Sequence, residues 1–206
     1  MGRDLPDVEK QYYWRSFNKL ISGVLSYVKF QRDFEVNFTN ATDQPFVFIN
    51  TYNSFNAAWE KKFKWPFYTE LKHGDEYNLT SLHIPDARSL PEFDALVLSL
   101  NKLVCDGINE KEIVKKLKTT DDIKGSLNKL ECWLKESGKT GYEAHVKFLR
   151  NLQELRSSGT GHKKGDNYLR ICRKMYIETD KYDVGFRNLL NKAIGVMKYL
   201  ENEFLK

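Results

Sequence analysis

Cysteine is scarce in this chain. The three present, Cys105, Cys132 and Cys172, are odd in number and far apart, and none forms a CxxC pair. That excludes a disulfide framework and a cysteine-rich zinc module, and predicts reduced thiols in a cytosolic protein. Long apolar runs are missing too. No stretch approaches the roughly 20 residues of a membrane span, and the opening Met1-Gly-Arg-Asp-Leu-Pro is followed by no signal-like apolar segment, so a cytoplasmic protein without membrane contact is expected. Charge of one sign does not dominate. Lys and Arg number 33 against 28 Asp and Glu, a net charge of +5, which lets a polyanion approach without forming the strongly basic footprint of a dedicated nucleic-acid binder. The three Asn-x-Thr triplets, at Asn37, Asn40 and Asn78, carry no weight in such a context.

What is present is globular: 41% hydrophobic, 14% aromatic and 30% charged residues. The chain changes character near Pro91. Residues 1–90 hold twelve of the seventeen Phe and Trp residues and four of the five prolines. Short apolar runs such as Phe46-Val47-Phe48-Ile49 alternate there with polar turns, so an irregular, aromatic-rich N-terminal extension is expected, with at most a short helix over 53–63. Trp59, Phe63, Trp65 and Phe67 interleave with Lys61, Lys62 and Lys64. Such an array can stack bases, but it more often packs an extension onto its neighbour and leaves the lysines in solvent.

Residues 91–206 read as helices. Behind a Ser89/Pro91 start signal, Phe93, Leu96, Val97, Leu100, Leu103 and Val104 recur at three- and four-residue steps. A short helix over 109–117 is capped by Asn109, with acidic residues first and lysines last, as the helix dipole prefers. Ile123, Leu127, Leu130 and Leu134 mark a helix over 121–135, stopped by Gly138. Another over 141–156 carries Phe148, Leu149, Leu152 and Leu155. Segments over 166–175 and 183–205 follow, the last with Phe186, Leu189, Leu190, Ala193, Ile194, Met197 and Leu200 on one face. The expected fold class is therefore mainly α, an up-and-down bundle.

The segment that carries chemistry is Leu155-Arg156-Ser157-Ser158-Gly159-Thr160-Gly161-His162-Lys163-Lys164-Gly165. A helix is expected to end at Arg156, with a Gly/Ser/Thr loop leading to His162. An arginine can hold a phosphate bidentately and stabilise charge building on its oxygens. A histidine titrating near neutrality can move the proton of a ribose 2′-hydroxyl or of a leaving oxygen. Ser157, Thr160, Lys163 and Lys164 are candidate substrate contacts, positioning a strand by its phosphates. The GxxxxGK[ST] order of a nucleotide-binding loop is lacking. His73, His83 and His145 stand without acidic or cysteine neighbours at ligand spacing, so neither a metal nor another cofactor is expected. Asp121-Asp122 and Glu110/Glu112 sit where helix N-termini favour negative charge.

Arg156, five residues and His162, within a helical bundle, resemble the HEPN superfamily over roughly residues 91–206. The resemblance implies a metal-independent endoribonuclease of a defence or toxin-antitoxin type. It further implies a homodimer that brings the Arg and His of both copies to one cleft, RNA as substrate, and possible association with an antitoxin or an upstream domain. Here Ser157 follows the arginine, where many active members carry Asn, Asp or His. The alternative is a non-catalytic helical module that dimerises or binds a protein or nucleic acid.

Overall fold

The computed structural model describes residues 43–118, 123–160 and 164–206. Among them the protein is mainly helical, with eight α-helices. These are α1 (Gln44–Phe63), α2 (Tyr77–Thr80), α3 (Leu90–Asn101), α4 (Glu110–Val114), α5 (Ser126–Glu136), α6 (Glu143–Thr160), α7 (Asp166–Met175) and α8 (Tyr182–Phe204). Between α3 and α4, residues Lys102–Asp106 form a π-helical turn.

Helix α1 corrects the expectation of irregular chain over this stretch. It is 20 residues long, starts with Pro45 in its first turn and ends at Lys64, whose left-handed backbone (φ 67°) returns its N–H to Glu60. Proline is tolerated there because the first N–H groups of a helix have no internal partner. Phe48, Tyr52, Phe55 and Trp59 recur at four- and three-residue steps and are buried along one stripe. This stripe packs on α8. Residues on both sides of Pro91 thus contribute to one hydrophobic core.

The other helical stripes lie where the periodicity places them. Phe93, Leu96, Val97, Leu100, Leu103 and Val104 are buried, as are Leu149, Leu152 and Leu155 of α6 and Leu189, Leu190, Ala193 and Met197 of α8. Helix α3 packs against α6, and α8 touches α1, α3 and α6. Asn109 caps α4 by accepting from Glu112 N. Gly138 (φ 67°) closes α5, where Lys139 N donates to the Leu134 carbonyl at 3.1 Å. The expected helix over 121–135 begins instead at Ser126, and residues 119–122 lie outside the described part.

Trp59, Trp65 and Phe67 are buried, while Lys61, Lys62 and Lys64 are exposed. The rings close on one another and on α5 and α8: Trp59 meets Phe67 edge-on at 4.9 Å, and Trp133 stacks on Phe204 at 4.6 Å. They serve as packing, not as a stacking platform. The segment leading away from them is fixed by polar contacts. Asn56 both donates to the Tyr68 carbonyl (3.0 Å) and accepts from Tyr68 N (2.9 Å), so one side chain substitutes for a β-partner. Thr69 N donates to the Gly107 carbonyl and Asn109 N to the Phe67 carbonyl, which docks residues 67–69 along 107–109.

Candidate functional site at the end of helix α6

Arg156 lies on α6, and that helix does not stop there. It continues through Ser157, Ser158 and Gly159 to Thr160, where the sequence suggested a loop. The two serines explain how the helix tolerates the run. Ser157 Oγ donates to the Glu154 carbonyl (3.1 Å), and Ser158 Oγ donates to the Glu154 and Leu155 carbonyls (2.8 and 3.2 Å). Hydroxyls that bond back to the preceding turn can remain helical. The Ser157 proton is therefore engaged within its own helix, and its lone pairs are what it can offer a ligand. Thr160 is the last residue of α6, its side chain undescribed, while His162 and Lys163 lie outside the described residues.

The Arg156 side chain is 40% exposed, and its guanidinium stands 3.9 Å from Asp106 Oδ2 at the end of the π-turn. Asp106 also accepts from Asn101 Nδ2 at 3.3 Å. Cys105, next to Asp106, is buried, its thiol close to the Leu149 carbonyl (3.6 Å). Burial pushes its pKa up, Asp106 adds to the rise and Arg156 opposes it, so this thiol is an inert part of the core.

A second polar contact lies about one turn further along α6. Lys164 pairs with Asp94 of α3, whose side chain is only 14% exposed, and lies 5.3 Å from the centre of the Tyr168 ring. Gly159 makes this approach possible. A Cβ there would stand 3.2 Å from both Asp94 Oδ1 and Tyr168 Cε2, tighter than side chains normally pack. The glycine that looked like a loop residue is a contact residue inside a helix. Tyr168 is buried, its hydroxyl beside the Cys172 thiol. Burial, aided by Cys172 and Asp94, holds that hydroxyl protonated far above ordinary pH.

Arg156 and Gly159 are three residues apart and so share a helix face. Helix α3 and its π-turn therefore present two carboxylates, Asp94 and Asp106, along the end of α6. These two acids, Asn101 and Tyr168 are the site-bordering groups that motif spacing did not reveal. Asn101 had a signal: a polar residue one step after Leu100 in a buried stripe. Asp94 looked like an ordinary acidic residue near a helix start, and its role depends on a pairing 70 residues away.

The remaining histidines are elsewhere. His145 stacks on Tyr199 (4.6 Å), and burial lowers its pKa. His83, expected to stand alone, is bound to Glu92: Nε2 lies 2.7 Å from Oε1, and Nδ1 donates to the Ser81 carbonyl. Asn78 of the third Asn-x-Thr triplet is 1% exposed, which leaves no room for a glycan. No helix among the described residues is long and apolar enough to cross a membrane.

No protein-family model, curated protein or solved structure matches this chain.

Proposed function

We propose that the chain is a HEPN-like, metal-independent endoribonuclease of a defence or toxin-antitoxin type. What carries the reading is Arg156: a partly exposed guanidinium near the end of α6, six positions before His162 in the chain, with Lys164 close behind. In the proposed reaction His162 takes the proton of a ribose 2′-hydroxyl as its oxygen attacks the adjacent phosphorus. The 5′-oxygen leaves as it takes a proton from water, giving a 2′,3′-cyclic phosphate and a 5′-hydroxyl, and His162 returns its proton to solvent. Arg156 holds the phosphate and offsets the charge on its oxygens. Ser157, Thr160, Lys163 and Lys164 border the strand, and a second copy of the chain completes the cleft.

The test uses purified protein and a mixed RNA pool in EDTA, beside His162→Ala. The expected result is cleavage to 2′,3′-cyclic ends, reduced at least about a hundredfold in the variant, the scale typical of losing a general acid or base. A folded dimer that leaves RNA intact overturns the reading.

One observation favours a second reading, a non-catalytic binding module. The Arg156 guanidinium already lies near Asp106, as an arginine bracing α6 to the π-turn would. On that reading Arg156→Ala changes stability or partner binding and no cleavage rate.

A further inference from the structure

Helices α6 and α8 and the end of α7 border an open cavity of about 450 Å³, to which Arg156 does not contribute. Its wall on α6 holds Ala144, Lys147, Phe148 and Asn151, which share one side of that helix through their three- and four-residue spacing. Met175 closes α7 against it, and Lys192 and Gly195, three residues apart, face it from α8. Phe148 and Met175 belong to the hydrophobic core, so the body of the cavity is apolar. The volume falls in the range of small-molecule sites.

Gly195 is the residue that the rest of the fold does not account for. It sits inside the 23-residue α8, where glycine is the poorest helix former after proline. The other glycines within the described helices are pressed on by neighbours: a Cβ at Gly159 would stand 3.2 Å from Asp94 and Tyr168, and one at Gly185 would stand 3.3 Å from Ile177. A Cβ at Gly195 would meet nothing within 4 Å, and its backbone has no positive φ. Neither packing nor backbone conformation among the described residues calls for a glycine there. What the missing side chain does is keep the α8 wall of the cavity open.

The polar groups around the opening are donors without acceptors. No Asp or Glu lines the cavity. The side chains of Lys147 and Asn151, one turn apart, make no hydrogen bond or ion pair among the described residues. Lys192 Nζ stands 5.9 Å from the centre of the Tyr176 ring, a contact that leaves its charge without a counter-ion. Tyr176 is 80% exposed and has a left-handed backbone (φ 59°), which bulky residues rarely adopt, so an aromatic face is held out in solvent beside Lys192. His145, also in the lining, is stacked on Tyr199, and burial keeps it neutral, so it brings an N–H rather than a charge. An apolar interior with two cations, an amide and an imidazole around it matches an occupant that brings an apolar body and negatively charged acceptor oxygens.

We infer that this cavity binds a small amphiphilic carboxylate, its ring-sized apolar body over Phe148, Met175 and Gly195 and its carboxylate at the rim with Lys147 and Lys192. The inference does not rest on the nuclease reading, because neither Arg156 nor His162 takes part in it.

The experiment is a ¹H–¹³C NMR titration of the methyl groups of the full chain with 2-naphthoate, whose ring current reports on nearby methyls. Saturable shifts are expected at Ala144 and Met175, with a dissociation constant of about 1 mM or tighter. Gly195→Leu fills open space and raises helix propensity, so it is expected to fold at least as stably as the parent and to abolish these shifts. The double variant Lys147→Gln/Lys192→Gln is expected to weaken binding roughly tenfold while the spectrum keeps its folded dispersion. The cation 2-naphthylmethylammonium, with the same body and opposite charge, and acetate, with the charge and no body, are both expected to leave the two methyls unmoved. The proposal is overturned by a folded spectrum without saturable shifts, by a Gly195→Leu or double-lysine variant that binds as well as the parent, or by an equal response to either control. Tighter binding of an acidic amphipathic peptide than of naphthoate at the same methyls overturns it in favour of a partner helix. RNA cleavage plays no part in the readout, so failure here and failure of the nuclease reading are told apart.

Discussion

Among the described residues, the aromatic wall around Trp59 and the polar region around the seam where α3 meets α6 both contain buried polar atoms without partners, yet they differ in kind. In the wall the unmet groups are Trp59 Nε1, Trp65 Nε1 and Tyr52 Oη, each attached to a large ring. Burying such a ring gains several times about 1 kcal/mol of hydrophobic and aromatic contact, which offsets a lost hydrogen bond. Beside the seam, among the described residues, the unmet atoms belong to Asn101 at the end of α3 and to Asn78 on α2, side chains with almost no apolar area to gain. A polar group buried without that compensation costs roughly 1–3 kcal/mol. The wall gains from what it buries, and the two amides do not.

The comparison breaks most visibly at Trp59. This side chain is fully buried, and its ring meets Phe55, Phe63, Trp65, Phe67, Trp133 and Phe204. Trp59→Ala is expected to cost about 3–5 kcal/mol in denaturant unfolding, the range for large-to-small changes in a packed core. A loss under 1 kcal/mol would show that the wall is dispensable. Next comes Gly107→Ala, which drives a methyl group into the Leu103 carbonyl. A loss of about 1–3 kcal/mol is expected, because backbone atoms cannot step aside. Chemical shifts at 102–107 should move with it, reporting that the π-turn has been rebuilt.

Asn101→Leu sharpens the contrast from the other side. It removes an unmet acceptor together with one hydrogen bond to Asp106, so the two terms oppose, and net stability is expected to stay within about 1 kcal/mol of the parent. A fully buried residue in the wall could not be exchanged so cheaply. Thermal unfolding of the two variants side by side decides it: equal losses for Asn101→Leu and Trp59→Ala would erase the distinction between the regions.

The fold was legible where one apolar stripe alternates with polar residues. Helix α3 announces itself by Ser89, Pro91 and the Phe93–Val104 spacing, and α8 by its unbroken apolar face. Helix α1 was not legible because Phe46, Val47, Phe48 and Ile49 are apolar on all sides, and aromatic and β-branched residues favour strands locally. Tertiary packing of Phe48, Tyr52, Phe55 and Trp59 on α8 overrides that preference. The end of α6 misled for a different reason. Ser-Ser-Gly-Thr is turn chemistry in isolation, but Gly159 is small because Asp94 and Tyr168 press on it, and that pressure exists only in the folded chain. Arg156 could be singled out from spacing, whereas Asp106 and Asp94 could not, since their meaning lies in contacts across roughly 50 and 70 residues of chain.

His83 offers the smallest effect and the finest probe of the surface beyond both regions. Its ring is bound between the Ser81 carbonyl and Glu92, and the bond to Ser81 is the chief reason its pKa is raised, with desolvation opposing and Glu92 assisting. A raised folded pKa stabilises the fold fully below the ordinary value of 6.5, and this contribution fades as pH rises through the folded value. Glu92 works in the opposite sense: its pKa is lowered, chiefly by accepting from Asp86 N, so its contribution is present above the ordinary 4.5 and is lost as pH falls through the lowered value. Both contributions coexist between about pH 4.5 and 6.5. His83→Gln is therefore expected to cost more at pH 5.5 than at pH 8.5. The partners are partly exposed, so after solvent screening the difference should be about 0.5 kcal/mol. Denaturation midpoints of parent and variant at the two pH values measure it. A difference of opposite sign would mean that the imidazole is held neutral, and that Glu92 is steadied by the backbone of Asp86 alone.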